Sequence, residues 1–310
     1  MMKKIVVVGS SNTDLIIKVP EIPRPGETLL GGEFMTFPGG KGANQAVAAA
    51  RAGGEVVFIA AVGDDAYGEE AIRGYKADQI NTEEIKICKG IPSGIAMITV
   101  SQKGENAITV ASGANAELRP EDLEEAEEAF QEADFLLIQL ETPLLTVQKA
   151  VELCNDLNTK VILNPAPAAE LGDEILQKVH IITPNETEAE RLTGIVVNDE
   201  PSAEAAAGIL HKRGVETVVI TMGSQGAYVS HRESGIRKMI PGFSVQAVDT
   251  TAAGDVFNGQ LAVSLADGMD LERAVLEAHG AAALSVQNLG AQSSIPRREE
   301  TRYFIEEQTK

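Results

Sequence analysis

Short apolar runs rich in β-branched residues alternate along this chain with segments of helical pattern. The strand-like runs are Lys4–Val8, Val56–Val62, Asp134–Gln139, Lys160–Asn164, His180–Thr183 and Thr217–Thr221. The helix candidates between them are Gly42–Ala52, Gly68–Lys76, Pro120–Gln131, Thr146–Leu157, Glu186–Thr193 and Ser202–Arg213. Because strands covered on both faces are apolar almost throughout, this alternation predicts an α/β fold whose mainly parallel central sheet has helices on both sides.

Two stretches do not fit as buried parallel strands. An extended segment begins at Leu15–Val19 and continues through three prolines to Thr36. Further along, Ile95–Val100 and Ala107–Ala111 flank a polar turn, which is the pattern of a hairpin. These stretches are candidates for a second, smaller sheet; two edge hairpins without a functional role are the alternative.

No repeat or low-complexity linker divides the chain, so we expect a single domain over residues 1–310. The smaller sheet would be inserted in that domain as two segments, about 15–37 and 93–112. A sheet inserted in this way could project from the main body as a lid.

The chain has 26 basic and 46 acidic residues, which gives a net charge of −20. A surface this negative repels nucleic-acid phosphates and anionic membranes, so neither is an expected partner. A phosphate-bearing ligand would therefore need local donors, such as free backbone N–H groups at the start of a helix.

The two cysteines, Cys88 and Cys154, lie far apart, which is unlike a secreted disulfide framework. The four histidines are scattered and show no zinc-ligand spacing. The sequence has no signal-peptide pattern and no apolar run of membrane length. We therefore expect a cytoplasmic protein with reduced thiols.

The common phosphate-binding motifs are missing. Gly40 and Lys41 are followed by glycine rather than Ser or Thr, so they do not form a Walker A loop. The turn after the first apolar run lacks the glycine pattern of a dinucleotide-binding fold. There is also no nucleophile elbow and no protein-kinase pattern.

Two segments could bind hydroxyl groups. Gly39–Gln45 leads into an alanine-rich helix, and Lys41 and Asn44 in it offer donors and an acceptor. Asn12 and Asp14 follow the first apolar run at spacing two, so in an extended segment they point the same way. A glycine turn and an Asx turn are the purely structural alternatives. Glu141 follows another strand candidate and is expected at the same edge.

Asp249–Gly259, which reads DTTAAGDVFNG, is the most informative segment. Small residues before a helix leave N–H groups free at its positive end, which favours an anion site. Asp255 beside such a site could accept the proton of an attacking hydroxyl. The alternative is an ordinary acidic residue in the first helical turn.

Other segments are weaker indicators. Asn185–Glu188 follows a strand candidate and could bind water or metal near phosphates, although it also fits a helix cap. Thr221–Gly226 could lie along a nucleotide or connect two strands. His279 and Asn288–Ser294 are uninformative by themselves.

Together these residues resemble the phosphofructokinase-B family of carbohydrate kinases over nearly the whole chain. The most specific matches are Gly39–Gly53, which reads GGKGANQAVAAARAG, and Asp249–Gly259. Within the family, the resemblance is greatest to the enzymes that use D-ribose. It implies a three-layer α/β/α sandwich with a small β-sheet lid, and ATP-dependent phosphorylation of D-ribose at O5 to give D-ribose 5-phosphate and ADP.

The resemblance also implies roles for individual residues. The sugar would be held by Asn12, Asp14, Gly40, Lys41, Asn44 and Glu141. Asp255 would be the general base, and the N–H groups of Ala252, Ala253 and Gly254 would form an anion hole. The nucleotide and its Mg²⁺ would involve Asn185, Glu188, Thr221, Gly223, Gly226, Gly254 and His279.

A potassium ion beside the anion hole is a further implication of the resemblance. Its ligands would come from Asp249, Thr251, Ser285, Asn288, Gly290 and Ser294. The family resemblance also implies a homodimer that pairs through the lid. Ala252 departs from the pattern, because many relatives have glycine at that position.

Two alternatives remain at this stage. The same chemistry could act on fructose, deoxyribose or a nucleoside, for whose base Phe34 and Phe37 in the lid offer aromatic surface. A sugar-binding or regulatory protein without turnover would be expected to lack Asp255 or Gly254, and both are present.

Overall fold

The computed structural model describes residues 3–30 and 32–308, so residues 1, 2, 31, 309 and 310 of the predicted domain and lid lie outside it. The strands are β1 (Lys4–Val8), β2 (Asn12–Val19), β3 (Glu33–Gly39), β4 (Glu55–Gly63), β5 (Ile85–Cys88), β6 (Gly94–Ser101), β7 (Asn106–Ala111), β8 (Phe135–Ile138), β9 (Lys160–Leu163), β10 (Ile181–Ile182), β11 (Thr217–Thr221), β12 (Ala227–His231) and β13 (Arg237–Ile240).

Helices connect most of these strands. They are α1 (Lys41–Arg51), α2 (Ala66–Ala77), α3 (Pro120–Glu125), α4 (Glu127–Gln131), α5 (Leu144–Leu157), α6 (Asp173–Leu176), α7 (Glu186–Thr193), α8 (Glu200–Lys212), α9 (Ala253–Ala266), α10 (Leu271–Ser285), α11 (Ala291–Ser294) and α12 (Arg298–Gln308). Short 3-10 turns occupy Gly113–Glu117 and Gly223–Gln225. Within the described ranges, no helix is both long and apolar enough to cross a membrane.

The larger sheet has the strand order β13-β12-β11-β10-β9-β8-β1-β4-β5. The strands from β11 to β5 are parallel, whereas β12 and β13 are added antiparallel at one edge. The chain moves outward from β1 in both directions, toward β4 on one side and β8 on the other. The carboxyl ends on the two sides of such a switch point form a crevice suited to a ligand.

Two hydrophobic cores lie on opposite faces of this sheet. In β1, Val6 and Val8 pack into the core shared with α3, α4, α5, α7 and α8, while Ile5 and Val7 pack into the core shared with α1, α2, α9 and α10. Successive side chains of a strand point to opposite faces, so a run without polar residues can serve both cores. The result is a three-layer sandwich.

Helices α1 and α9 pack unusually close together. A Cβ atom added at Gly259 would lie 2.5 Å from the Cβ of Ala48 and 2.7 Å from the backbone N of Ala49. Glycine on α9 and small residues on α1 therefore allow the two backbones to approach. Asp255 lies one turn before Gly259, so this approach brings its carboxylate to the N-terminal part of α1.

The smaller sheet has the strand order β3-β2-β6-β7. The hairpin of β6 and β7 and the antiparallel pair of β2 and β3 are joined by a parallel pairing of β2 with β6. Both predicted lid segments contribute to this one sheet. Its strands begin and end at residues next to the crevice, because Asn12 opens β2 and Gly39 closes β3.

The predicted fold class, α/β with a mainly parallel sheet and a second small sheet, is confirmed. One predicted helix, Pro120–Gln131, is interrupted at Ala126, whose φ of −94° and ψ of 16° lie outside the helical region. The assignment of residues 1–310 to a single domain, with the lid inserted in it as two segments, stays a prediction.

Candidate active site

Polar side chains gather in the crevice at the carboxyl ends of the central strands. They follow β1, β8, β9 and β10, or lie at the N-terminal ends of α1, α7 and α9. Helix N-termini carry free N–H groups and partial positive charge, so the crevice can hold anionic groups despite the acidic surface.

Asp255 is buried in the first turn of α9. Its Oδ2 accepts a hydrogen bond from Asn44 Nδ2 at 3.0 Å, and its Oδ1 accepts one from Gln45 Nε2 at 2.9 Å. Burial raises the pKa of Asp255, while the Lys41 ammonium group and these two amides oppose the increase. The carboxylate is thus a stronger base than an exposed one, but it has neighbours that favour its charged form.

Lys41 lies where three carboxylates converge. Burial lowers its pKa, but Asp255, Glu141 and Glu188 together raise it above the ordinary value, so the ammonium group stays charged. Its backbone N–H donates to Glu141 Oε2 at 3.0 Å, and the same oxygen accepts from Ser10 Oγ at 2.5 Å. The positive charge of Lys41 thus offsets part of the repulsion among these carboxylates.

Asp14 and Asn12 both face the crevice from β2, as their spacing predicted. Burial, with repulsion from Glu141 and Asp255, raises the pKa of Asp14 to about 6. Asn12 Oδ1 accepts a hydrogen bond from Asn115 Nδ2 at 2.8 Å. A cavity of about 380 Å³ is lined by Asn12, Asn115 and Glu141, and by Val110 of the lid.

Sequence reasoning missed a chain of buried amides behind Asp255. Gln45 Nε2 also donates to Asn164 Oδ1 at 3.0 Å, and Gln45 Oε1 accepts from Gln139 Nε2 at 2.6 Å. Asn164 and Gln139 directly follow strands, which was the available signal. Beside this chain, Thr183 Oγ1 donates to Asn258 Oδ1 at 2.6 Å and so fixes the next turn of α9.

The start of α9 forms an open turn. Ala252 has a φ of 62°, in the left-handed region that favours glycine. Across the described parts of the chain, the N–H groups of Ala252 and Gly254 have no acceptor, whereas that of Ala253 donates to the carbonyl of Thr250 at 3.3 Å. These groups border a cavity of about 200 Å³ that also contains Lys41 and Asp255.

Asn185 and Glu188 are joined in a capping box at the start of α7. Asn185 N–H donates to Glu188 Oε2 at 2.8 Å, and Glu188 N–H donates to Asn185 Oδ1 at 2.8 Å. Burial raises the pKa of Glu188, although Lys41 opposes this. Both residues line the cavity of about 200 Å³, together with Thr221 and Gly254.

A third cavity, of about 330 Å³, adjoins the cavity of about 200 Å³. Thr250 and Ala253 line both, and Gly223 and His279 line the larger one. Its remaining walls are mostly apolar, with Phe243, Val245, Ala247, Ala282, Ala283 and Val286 among them. Of the predicted nucleotide residues, Gly226 lines neither cavity.

His279 is buried beside the ring of Phe257, with ring centroids 5.1 Å apart. Burial lowers the pKa of His279 to about 4, so the imidazole is neutral near pH 7. Its Nε2 has no hydrogen-bond partner in the described ranges. The position is suited to an uncharged ligand rather than to an anion.

Hydrogen bonds of the Asp249 side chain connect three residues of the predicted cation site: Asp249, Thr251 and Gly290. Asp249 Oδ1 accepts from Thr251 N–H and Oγ1, and Asp249 Oδ2 accepts from Gly290 N–H at 2.9 Å. Burial raises the pKa of Asp249, but these donors lower it to a net value below the ordinary one. The side chains of Ser285, Asn288 and Ser294 instead donate to carbonyls of their own helical turns.

A sequence model described as pfkB family carbohydrate kinase matches residues 2–298. The chain belongs to the pfkB family of carbohydrate kinases. As a pfkB-family enzyme it is a phosphotransferase, and the ring of donors and carboxylates around Asp255 lies where a hydroxyl and a phosphate could meet. Within the described residues, no group of three or more His, Cys, Asp or Glu side chains could hold a metal ion by itself.

Individual members of the pfkB family are similar over the full chain. A ribokinase from Haemophilus influenzae is 47% identical over 306 residues, which covers 99% of both chains. A deoxyribokinase from Salmonella typhi is 39% identical and covers 97% of this chain and 98% of its own. The structure of Arabidopsis thaliana ribokinase complexed with ribose and ATP is 30% identical, with a TM-score of 0.92 over 98% of this chain and 99% of that one.

Proposed function

We propose that this chain is a ribokinase, which transfers the γ-phosphoryl group of ATP to O5 of D-ribose and releases D-ribose 5-phosphate and ADP. The position of Asp255 is the observation that carries the proposal. Its carboxylate accepts hydrogen bonds from Asn44 and Gln45 of the predicted hydroxyl-binding segment Gly39–Gln45, which we call the sugar-type loop. Its backbone belongs to the start of α9, which borders the cavity of about 200 Å³. The full-length similarity to ribokinases supports ribose as the acceptor.

In the proposed reaction, Asp255 accepts the proton of the O5 hydroxyl as O5 attacks the γ-phosphorus. The new P–O bond forms while the bond to the bridging β–γ oxygen breaks, and ADP leaves with that electron pair. Asp255 raises the electron density on O5 only if it is ionised beforehand. Lys41 and the two amides favour the ionised form.

Negative charge on the transferring group would be stabilised at the start of α9. The N–H groups of Ala252 and Gly254 are without acceptors, and we propose that Ala253 joins them by exchanging its bond to Thr250 for one to the phosphate. Lys41 lines the same cavity and adds a full positive charge. Such donors are most effective when they are already in place before the reaction.

Sugar hydroxyls would be held by Asp14, Asn12, Gly40, Lys41, Asn44 and Glu141. The carboxylates accept hydrogen bonds, and the amides and backbone N–H groups donate them. Lid residues on the crevice side, such as Val110, would cover the ring and exclude water. Covering the ring limits hydrolysis of ATP by water in place of the sugar.

The nucleotide would occupy the adjoining cavity. Its apolar walls and neutral His279 suit an uncharged base. Gly223, which has no side chain, would allow the nucleotide to lie close to the backbone. The phosphates would then extend toward Asn185, Thr221 and Gly254 in the smaller cavity. We assign no contact to Gly226, which closes the turn behind Gly223.

Mg²⁺ would bind to the nucleotide phosphates. The residues of the site suit contact with its water molecules rather than with the ion itself. Glu188 is a buried carboxylate in the smaller cavity, and its oxygens already accept from Asn185. A hydrated Mg²⁺ needs few direct protein ligands, so Asn185 and Glu188 would hold its water molecules. The ion would neutralise charge on the phosphates when bound.

K⁺ also fits the donor set of this protein. The carboxylate of Asp249, the hydroxyl of Thr251 and carbonyl oxygens of the 285–294 loop are hard oxygen donors of the type that alkali cations prefer. Since the side chains of Ser285, Asn288 and Ser294 face their own turns, their backbone carbonyls would be the ligands. A cation there would steady the turn that leads into the anion hole.

Exposed apolar side chains on the face of the lid that points away from the crevice support the proposal of a homodimer. On the face opposite Asp14, Ile17 is paired with Phe34, and Leu15 is paired with Met97. Phe34 and Met97 are each 64% exposed, which is unusual for large apolar side chains of one sheet face. We propose that the lids of two copies cover each other through this face in an isologous contact.

The buried free thiols of Cys88 and Cys154 support a reducing location, the cytoplasm.

A second candidate acceptor is 2-deoxyribose, because a deoxyribokinase is among the full-length relatives. The two sugars differ only at the 2-hydroxyl. A comparison of kcat/KM for D-ribose and 2-deoxyribose therefore distinguishes the two candidate activities.

The test is ATP-dependent ADP release with D-ribose, 2-deoxyribose, fructose and adenosine, each in potassium or sodium chloride. We expect the highest kcat/KM with D-ribose, and stimulation by potassium. A higher kcat/KM with 2-deoxyribose would assign the chain to the second candidate. No turnover with any acceptor from folded protein would contradict the proposed activity.

A further inference from the structure

Asn115 lies at the base of the lid, in the 3-10 turn directly after β7. It is 2% exposed, and its carboxamide makes three hydrogen bonds. Its Oδ1 accepts from Ser11 N–H at 2.8 Å, and its Nδ2 donates to the Ser11 carbonyl at 3.1 Å and to Asn12 Oδ1 at 2.8 Å. Asn115 thus contacts the strand that carries the predicted sugar ligands.

The backbone of Ser11 determines which way the Asn115 amide points. A backbone N–H can only donate and a carbonyl can only accept, so Asn115 Oδ1 must face the N–H and Nδ2 the carbonyl. The second hydrogen on Nδ2 then requires an acceptor, and Asn12 must supply its oxygen. The orientation of the Asn12 amide follows from these bonds rather than from a choice between similar atoms.

Asn12 Nδ2 consequently points away from Asn115. It makes no hydrogen bond to the described part of the protein, and Asn12 lines the cavity of about 380 Å³ beside Glu141. Asp14, two residues along the same strand, offers only acceptor oxygens when ionised. The two neighbouring positions therefore present a donor and an acceptor.

We propose that Asn115 is a positioning residue that fixes the Asn12 carboxamide with its NH₂ group toward the sugar. The inference rests on the proposed function, because it assumes that Asn12 contacts the sugar. A hydroxyl between the two residues donates to Asp14 and accepts from Asn12. With the Asn12 amide reversed, that hydroxyl faces two acceptors and can satisfy only one.

The arrangement also links the sugar site to both strands of the lid hairpin. Asn115 follows β7, and Gly94 begins β6. A Cβ atom added at Gly94 would lie 2.2 Å from both Asn115 Nδ2 and Asn12 Oδ1, so the two strands converge on this amide pair. The orientation of Asn12 is therefore held at the base of the lid.

Asn115→Asp tests the inference. The new carboxylate still accepts from Ser11 N–H, but it has no proton for Asn12 Oδ1, so Asn12 turns its NH₂ group toward position 115. We expect the KM for D-ribose to rise about tenfold, as for the loss of one hydrogen bond, and the KM for ATP to change less than twofold. Asn155→Asp, an exposed substitution on α5 with the same charge change, should alter neither.

A double-mutant cycle separates positioning from a general structural effect. In an Asn12→Ala background, adding Asn115→Asp should change the ribose KM less than twofold, because no amide remains to be turned. A second tenfold increase there would overturn the inference, since it would reveal an effect on Asp14 or on the fold. Melting temperatures of all variants accompany the kinetics, and Asn115→Ala, which also has no donor for Asn12 Oδ1, replaces Asn115→Asp if the latter does not fold.

The outcomes for the two proposals differ. An unchanged ribose KM in Asn115→Asp, with a wild type active on ribose, would overturn this inference alone. A wild type without ribose turnover would overturn the proposed function and this inference with it.

Discussion

Gln45 and Asp255 are hydrogen-bonded, Nε2 to Oδ1, at 2.9 Å, although 210 residues separate them in the sequence. The helix that begins at the sugar-type loop therefore also holds the carboxylate that we propose as the base. Gln45 is itself fixed by Gln139 and Asn164. These hydrogen bonds tie Asp255 to the sugar-type loop through buried amides.

Asp255→Asn should abolish most of the turnover. The amide cannot take up the proton of O5. It keeps the shape of the carboxylate and one of its two hydrogen bonds to the sugar-type loop, because its NH₂ group cannot accept the other. We expect kcat to fall by a factor on the order of 10² or more, with a small change in the ribose KM. Steady-state assays beside Asp156→Asn, an exposed substitution on α5, provide the comparison; near-normal turnover would remove Asp255 as the base.

Lys41→Ala should raise the KM for the sugar more than the KM for ATP. The ammonium group also lowers the pKa of Asp255 and of Glu188, so its loss raises both. The acid limb of the pH profile of kcat/KM should consequently move to higher pH. Exposed Lys89 offers the matched Lys→Ala control, and a change confined to the KM for ATP would contradict the assignment of this loop.

Asp14→Asn should stabilise the ligand-free protein at pH 7.5. The folded state holds a proton on Asp14 up to a pKa of about 6, against an ordinary pKa of 3.8, so ionisation costs stability as pH rises from 4 to 6. A difference of about two pKa units corresponds to ~3 kcal/mol, and the amide avoids this cost.

Denaturant unfolding at several pH values measures this effect. The gain from Asp14→Asn should be full above pH 6 and absent below pH 4, where both forms of the residue are neutral. Asp156→Asn is again the control. A variant less stable than wild type at pH 7.5 would show that the Asp14 carboxylate stabilises the fold, contrary to our interpretation.

Met97→Lys should convert a dimer into monomers. The ammonium group would be buried against the apolar face of a second lid, where it has no partner. Light scattering after size exclusion measures the mass. Ile87→Lys, at an apolar residue that is 57% exposed outside the lid, should leave the mass unchanged. A dimer that persists in Met97→Lys would rule out pairing through this face.

Sequence periodicity identified the central strands because they are short, apolar and bounded by turn residues. β1 and β11 have the predicted limits, as does α7. Helix α9 shows little periodicity because nearly all of its residues are buried, so its alanines and glycines give no polar face to recognise. The edge strands β12 and β13 were missed because β12 is a short run directly after a glycine turn and β13 begins with the exposed Arg237 and Lys238.

Within the site, Asn12, Asn44 and Asn185 were predicted together with the charged residues, whereas the buried amides that contact them or Asp255 were not. A carboxylate or lysine near a strand end is unusual and attracts a functional interpretation. Gln45, Asn115 and Asn164 are common residue types, and their importance arises from contacts between segments that are distant in sequence. Such contacts become visible only once the fold is formed.

The hydrogen bonds that join Asn44 and Gln45 to Asp255 have a consequence during protein synthesis. The sugar-type loop leaves the ribosome early, but the carboxylate that Asn44 and Gln45 hold is made only when α9 is translated. A nascent or truncated chain that ends before α9 carries these amides without their acceptor. Such a chain would lack both the carboxylate that we propose as the base and the N–H groups that we propose as the anion hole, because these groups lie together at the start of α9.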